Sequence, residues 1–146
     1  MSIGKDVIYN KAFLERGMNH VVLWDIQRIT HEQIIKIKFL SNQSKNRQGI
    51  WLKTDKGMSI PSLGSEIYKS VNLWEDTAPK EIQIQCYTDD GNLHIYNIWD
   101  EGDGKESQSY SSGMLIQEEN GVLVYQCNDY GFETNFSSLV FSLEKL

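Results

Sequence analysis

Cysteine is nearly absent from this chain: Cys86 and Cys127 are the only two in 146 residues. Two are too few for the disulfide framework of a small secreted domain, so a reducing cytoplasm is the expected compartment and both thiols are expected in the core. In that setting the sequons Asn42-Gln43-Ser44 and Asn135-Phe136-Ser137 have no glycosylation role. Proline also occurs only twice, which excludes a proline-rich linker, and no internal repeat is visible. No apolar run exceeds five residues, far short of the roughly 20 needed to span a bilayer as a helix. The opening Met1-Ser-Ile-Gly-Lys-Asp6 lacks the charged-then-apolar order of a secretion signal.

Basic residues become scarce halfway along. Residues 1–73 carry eleven Lys/Arg against six Asp/Glu, whereas residues 74–146 carry three lysines against fourteen acidic residues, and no arginine follows Arg47. The net charge of −6 disfavours nonspecific binding to nucleic acid. With 40% apolar and 23% charged residues the chain has the composition of a globular protein. Its length fits one domain over residues 1–146 that buries a core without staples.

Period-two alternation dominates from Val21 onward and predicts a mainly β protein. Ile35, Ile37 and Phe39 alternate with Lys36 and Lys38, residues 50–54 and 58–60 read as two strands around Asp55-Lys-Gly57, and Leu139–Leu143 reads as a last strand. The stretch 41–49 is polar, locally basic and expected to be a mobile loop. Short helices are expected only at 5–16 and 64–70. Asp90-Gly91 and Asn120-Gly121 are two-residue hairpin signals. The first predicts Cys86 opposite Ile95 and Tyr87 opposite His94. The second predicts Ile116 opposite Tyr125 and Met114 opposite Cys127. About eight to ten short antiparallel strands are too many for one flat sheet with a single solvated face, so the expected fold is a β-sandwich or a barrel with at most one or two short helices. Lys36, Lys38 and Lys53 read as charges that discourage edge-to-edge pairing of strands 34–40 and 50–54.

Catalytic motifs are lacking. His31-Glu32 is followed by Ile35 where a zinc-hydrolase helix needs a second histidine, and His20, His31 and His94 are not spaced as a metal cluster. There is no nucleophile elbow or phosphate-binding glycine loop, and no cofactor is implied. Cys86 and His94 fall on opposite faces of the predicted hairpin, out of reach of each other as nucleophile and base. The acidic segment Trp99-Asp-Glu-Gly-Asp-Gly-Lys-Glu106 is the most suggestive piece. Asp100, Glu101, Asp103 and Glu106 lie close together, as hard cations prefer, but the segment lacks the helix–loop–helix calcium spacing and its ordinary reading is a solvated turn. A carboxylate pair for glycoside hydrolysis is disfavoured because one loop rarely places its acids across a sugar ring. Phe132 and Phe136 are expected to cap the core; Asn128-Asp129 before Gly131 reads as a turn whose side chains bond their own backbone, and the functional alternative sets Asp129, Glu133 and Asn135 beside the 99–106 loop.

The strings Ile95-Tyr-Asn-x-Trp99-Asp-x-Gly-x-Gly104, Ser107-Gln-Ser109, Ser112-Gly-Met-Leu115, Tyr125-x-Cys-Asn-Asp-x-Gly-Phe132 and Leu139-Val-Phe141 resemble a family of small bacterial all-β proteins with no assigned function. The resemblance covers residues 93–143. It implies a bacterial origin and a stand-alone domain, and it carries no activity or catalytic residues.

Three functional readings follow. The first is a non-enzymatic binding protein, of the kind in which an acidic immunity protein neutralises a basic toxin. Trp74, Glu75, Asp76, Trp99, Asp100, Glu101 and Asp103 would meet the basic partner. The second is a β-sandwich for a small, carbohydrate-type ligand, using the aromatic row Tyr87, His94, Tyr96 and Trp99. The third is enzymatic and needs His94 beside the 100–106 carboxylates. A structural domain with a merely solvated acidic half is the fourth possibility.

Overall fold

The computed structural model describes Val7–Leu146. Eleven strands and one short helix form among these residues: β1 (Ile8–Tyr9), α1 (Lys11–Glu15), β2 (Val22–Arg28), β3 (Ile34–Asn42), β4 (Arg47–Ser59), β5 (Ile67–Trp74), β6 (Glu81–Cys86), β7 (Asn92–Asp100), β8 (Lys105–Ser107), β9 (Gly113–Glu119), β10 (Val122–Asn128) and β11 (Leu139–Lys145). Eight of them run in the order β2-β9-β10-β11-β3-β6-β4-β7, and β7 pairs back onto β2. The circuit is therefore closed. β5 is added to β4, β8 to β7 and β1 to β2, all antiparallel. Of the two expected architectures the barrel forms, because closure satisfies backbone groups that an open sheet would leave at its edges.

The alternation in β3 is realised as read: Ile35 and Ile37 are fully buried and Phe39 nearly so, while Lys38 points outward. Lys36 bridges Glu81 on β6 and Glu144 on β11 at 3.4 and 3.5 Å. Neither β3 nor β4 is an edge, since each is paired on both sides. Their lysines thus decorate the outer wall and guard no edge, contrary to the expectation above.

The Asn120-Gly121 hairpin forms in the predicted register, with Ile116 opposite Tyr125 and Met114 opposite Cys127. Asn120 and Gly121 adopt φ of 53° and 81°, as a type I′ turn requires. Asp90-Gly91 behaves differently. β6 and β7 do not pair with each other; both are antiparallel to β4, β7 against Arg47–Lys53 and β6 against Met58–Ser59. They run in the same direction, end to end, and residues 87–91 are an excursion between them. Cys86 therefore faces Met58 instead of Ile95, and His94 faces Lys53 instead of Tyr87. The long partner explains the difference. β4 is one bulged strand of 13 residues, where two strands around residues 55–57 were expected. The Asp55 carboxylate accepts from Thr88 Oγ1 (2.7 Å) and from the Asp89 and Asp90 amides (3.0 and 3.1 Å), which fastens the excursion to the bulge.

Helix α1 falls within the expected 5–16 segment, of which residues 5 and 6 lie outside the described ones. Asn10 caps it, its Oδ1 accepting from the Ala12 and Phe13 amides at 2.9 and 3.2 Å. The second expected helix, 64–70, is instead loop and the start of β5: Val71 and Leu73 are buried against β4, and sheet pairing outweighs local propensity there. Phe13, Val21 and Phe136 form a small second cluster, with Phe132 and Leu115 packed against it. Both cysteines are buried and free, and burial pushes the Cys86 thiol up to about 12, so it is a poor nucleophile at neutral pH.

Candidate functional site

Strand direction sorts the acidic residues between the two ends of the barrel. Arg47 pairs with Asp100, Gly49 with Trp74 and Asn128 with Gly113, so β7 and β5 finish at the end where β4 begins. Glu75-Asp76, the 100–106 loop and Asp129 gather there. Asp89-Asp90 and Glu118-Glu119 belong to the opposite end. Half a chain of acidity becomes two separate patches.

Within the first patch, Asp100 Oδ1 accepts from the Gly102 and Gly104 amides at 2.7 and 3.1 Å. The glycines sit at φ of 116° and 112°, which lets the loop curl around that carboxylate. Asp100 is thereby committed to holding the loop, and Glu101, Asp103 and Glu106 project into solvent. Among the described residues no trio of His, Cys, Asp or Glu is placed to hold a metal ion. A cavity of about 480 Å³ opens beside the loop, lined by Glu101, Lys45, Asn46 and Tyr130. Its wall carries one carboxylate, one ammonium, one amide and one phenol, and Tyr130 is 68% exposed.

The expected aromatic anchors lie at this end but are not free contacts. Trp99 is only 3% exposed and cannot serve as a contact. Trp74 is covered by the Arg47 guanidinium, 4.3 Å above its ring, while Arg47 Nε donates to both Asp76 oxygens at 2.9 Å. The pair is half-exposed, so it is worth no more than about 1 kcal/mol, but it covers the Trp74 ring and neutralises Asp76. Asp129 is nearly buried. Its Oδ2 accepts from Ser44 Oγ, Gln48 Nε2 and Asn46 Nδ2 at 2.7, 2.8 and 3.2 Å, and its Oδ1 from Ser138 Oγ at 3.0 Å. Asp129 is thus a hub that ties the β3–β4 turn to the segment before β11. The segment 41–49, expected as a mobile loop, is mostly strand pinned by these bonds. Glu133 and Asn135 remain exposed on the segment between β10 and β11.

His94 and Tyr96 lie on the outer wall. Tyr96 stacks on Trp51 with ring centres 4.3 Å apart, and Trp24 meets both edge-on at 5.3 and 5.6 Å. The Trp24 indole donates to His94 Nδ1 at 3.0 Å. Tyr87 is not in this row; lying on the excursion, it packs against His31. Six residues of extended strand separate His94 from Asp100, about 20 Å, which takes the imidazole out of reach of the acidic loop. The enzymatic reading loses its geometry.

Burial lowers the His94 pKa below the ordinary 6.5, Asp90 and Asp55 opposing and Lys53 assisting. A proton would also abolish the acceptor that Trp24 uses. The unfolded chain therefore takes up the proton first as pH falls. The stability this histidine contributes is complete above about pH 6.5 and is lost as pH drops through the lower folded-state value. Urea unfolding should accordingly show a steeper loss of stability between about pH 7 and pH 5 for the native chain than for His94→Gln, which retains an acceptor without titrating. Equal slopes would remove His94 from the pH response.

Sequence reasoning missed Tyr130, Arg47, Trp24 and Trp51. Tyr130, between Asp129 and Gly131, was visible as an aromatic in a turn. The others depend on which strands become neighbours. No protein-family model, curated protein or solved structure matches the chain. Among the described residues no helix is long and apolar enough to cross a membrane. Fold and site together define a small closed β-barrel that presents a pre-shaped acidic loop beside an exposed tyrosine.

Proposed function

We propose that this protein is a non-enzymatic binding module whose acidic barrel end receives a basic protein partner, in the manner of an immunity protein and its toxin. The observation that carries the reading is the shared cavity of Glu101 and Tyr130. A carboxylate and an exposed phenol flank this cleft and suit a lysine or arginine side chain, the ring supplying a contact surface; Lys45 on the same wall offsets the Glu101 charge, so the net attraction comes from the other exposed acids of the loop. Asp103 and Glu106 extend the field that would steer encounter. The loop is already curled around Asp100, so little ordering cost falls on association.

A photo-crosslinking residue at position 130, introduced in the source cells, tests this. The expected adduct is to a protein of high isoelectric point. Its yield should fall at least about ten-fold when Glu101, Asp103 and Glu106 are all changed to lysine, and again as salt is raised from about 0.05 to 0.5 M. An adduct indifferent to both changes, or none, rejects the reading.

The outer aromatic row supports a second reading, a small carbohydrate-type ligand, because Trp24 and Trp51 are only partly buried beside Tyr96. Against it, Tyr96 is 9% exposed and the Trp24 N–H is occupied by His94. Tryptophan fluorescence unchanged across a panel of sugars would dismiss it.

A further inference from the structure

Asp25 is the one carboxylate that the reading above leaves unused inside the barrel wall. It is 3% exposed, and no ion pair reaches it among the described residues. Tyr125 Oη donates to it at 2.7 Å and Gln27 Nε2 at 2.9 Å, and both bonds end on the same oxygen, Oδ2. Tyr125 is itself fully buried, stacked on Phe141 with ring centres 4.6 Å apart, so this oxygen is fixed from within the core. Oδ1 receives no donor among the described residues. A neutral amide at this position would satisfy Tyr125 equally well, so that bond does not require the charge.

Asp25 also lines a cavity of about 280 Å³. Val7, Val22 and Ile116 give it an apolar wall, and Tyr9 and His20 stand at its exposed side. The volume lies at the small end of ligand pockets and suits an unbranched aliphatic stem. One free oxygen also selects the head group. A guanidinium prefers two parallel bonds to a carboxylate, which the double engagement of Oδ2 forbids, whereas an ammonium is a point charge that one oxygen can receive.

We infer that the Asp25 cavity is a binding site for an aliphatic ammonium group, the stem lying against Val7, Val22 and Ile116 and the head on Asp25 Oδ1. The group is the same in a free alkylamine and in the side chain of a protein lysine. The site shares no residue with the acidic-end cavity, so either proposal can fail alone.

Butylammonium chloride titrated into the intact protein, followed by amide NMR, tests the inference. Saturable millimolar binding is expected, with the largest shifts at Gln27 and Ile116. Asp25→Asn keeps the volume and an acceptor for Tyr125 but removes the charge, and should weaken binding at least about ten-fold. The uncharged isostere 1-butanol should bind both forms alike and more weakly than butylammonium binds the native chain. Nα-acetyl-lysine methylamide separates the two sources. If it binds at least as tightly as butylammonium, the site takes a protein lysine; if only butylammonium binds, it takes a free amine. No saturable shift at these residues, or equal butylammonium affinity in the native chain and a folded Asp25→Asn, overturns the inference.

Discussion

Replacing Asp129 with alanine is expected to lower the unfolding free energy by about 3 kcal/mol and the melting temperature by about 10 °C. The reason is the number of donors that converge on one nearly buried carboxylate. Ser44, Asn46, Gln48 and Ser138 all give a hydrogen bond to it. Gln48 is 1% exposed, and without Asp129 its amide nitrogen keeps only the 3.4 Å contact to the Asn46 carbonyl. Its Oε1 already lacks a partner among the described residues, so the loss cannot be made up locally. Bonds to a charged acceptor exceed neutral ones, and a stranded buried donor costs its full desolvation. Asp129→Asn should recover much of the loss, since its amide oxygen can replace Oδ2 for Ser44, Asn46 and Gln48 and its NH2 then faces the Ser138 hydroxyl, which can turn to accept. Urea unfolding with an unchanged denaturant slope would register the alanine effect as lost stability. An Asp129→Ala chain as stable as the native one would show that packing, not the hydrogen bonds, holds the segment.

The second large effect is expected at Gly57, where β4 bulges. Its φ is +91°, and a Cβ there would lie 2.7 Å from Ile67 Cγ2 and 2.8 Å from the Tyr68 carbonyl oxygen of β5. Gly57→Ala therefore combines a left-handed backbone cost of about 1–2 kcal/mol with overpacking against a neighbouring backbone, roughly 3 kcal/mol together. Gly121→Ala supplies the contrast: φ is +81° but nothing lies within 4 Å, so only the first part, about 1 kcal/mol, should appear. Comparison of urea midpoints isolates the packing contribution. Equal losses in the two variants would mean that β5 moves aside freely. The carbonyl of Gly57 also accepts from Thr54 Oγ1 and the Tyr87 amide, so the bulge fixes where the 87–91 excursion leaves β4.

These two positions show where the sequence was readable and where it was not. The Asn120-Gly121 hairpin was legible because both its strands and its turn lie within about fifteen residues, and one dipeptide selects the register. Asp90-Gly91 carries the same local signal and gives no hairpin. The deciding elements lie earlier in the chain: β7 pairs along seven residues of β4, and β6 along five of β3 and two of β4. The acidic loop was legible by composition, and its glycines by their spacing around Asp100. Its neighbours were not: Arg47, from the basic half, folds over Trp74 and onto Asp76, and Tyr130 arrives from the far side of β10.

What the sequence determined by itself was the class of protein. Alternation with period two and turn dipeptides specify an antiparallel β domain, since each is a local preference of backbone or side chain. The tertiary structure alone decided that the sheet closes and that Asp25 and Asp129 are interior. Those outcomes depend on strand neighbours distant in sequence, and period-two alternation says which face a residue takes but not which strand it meets.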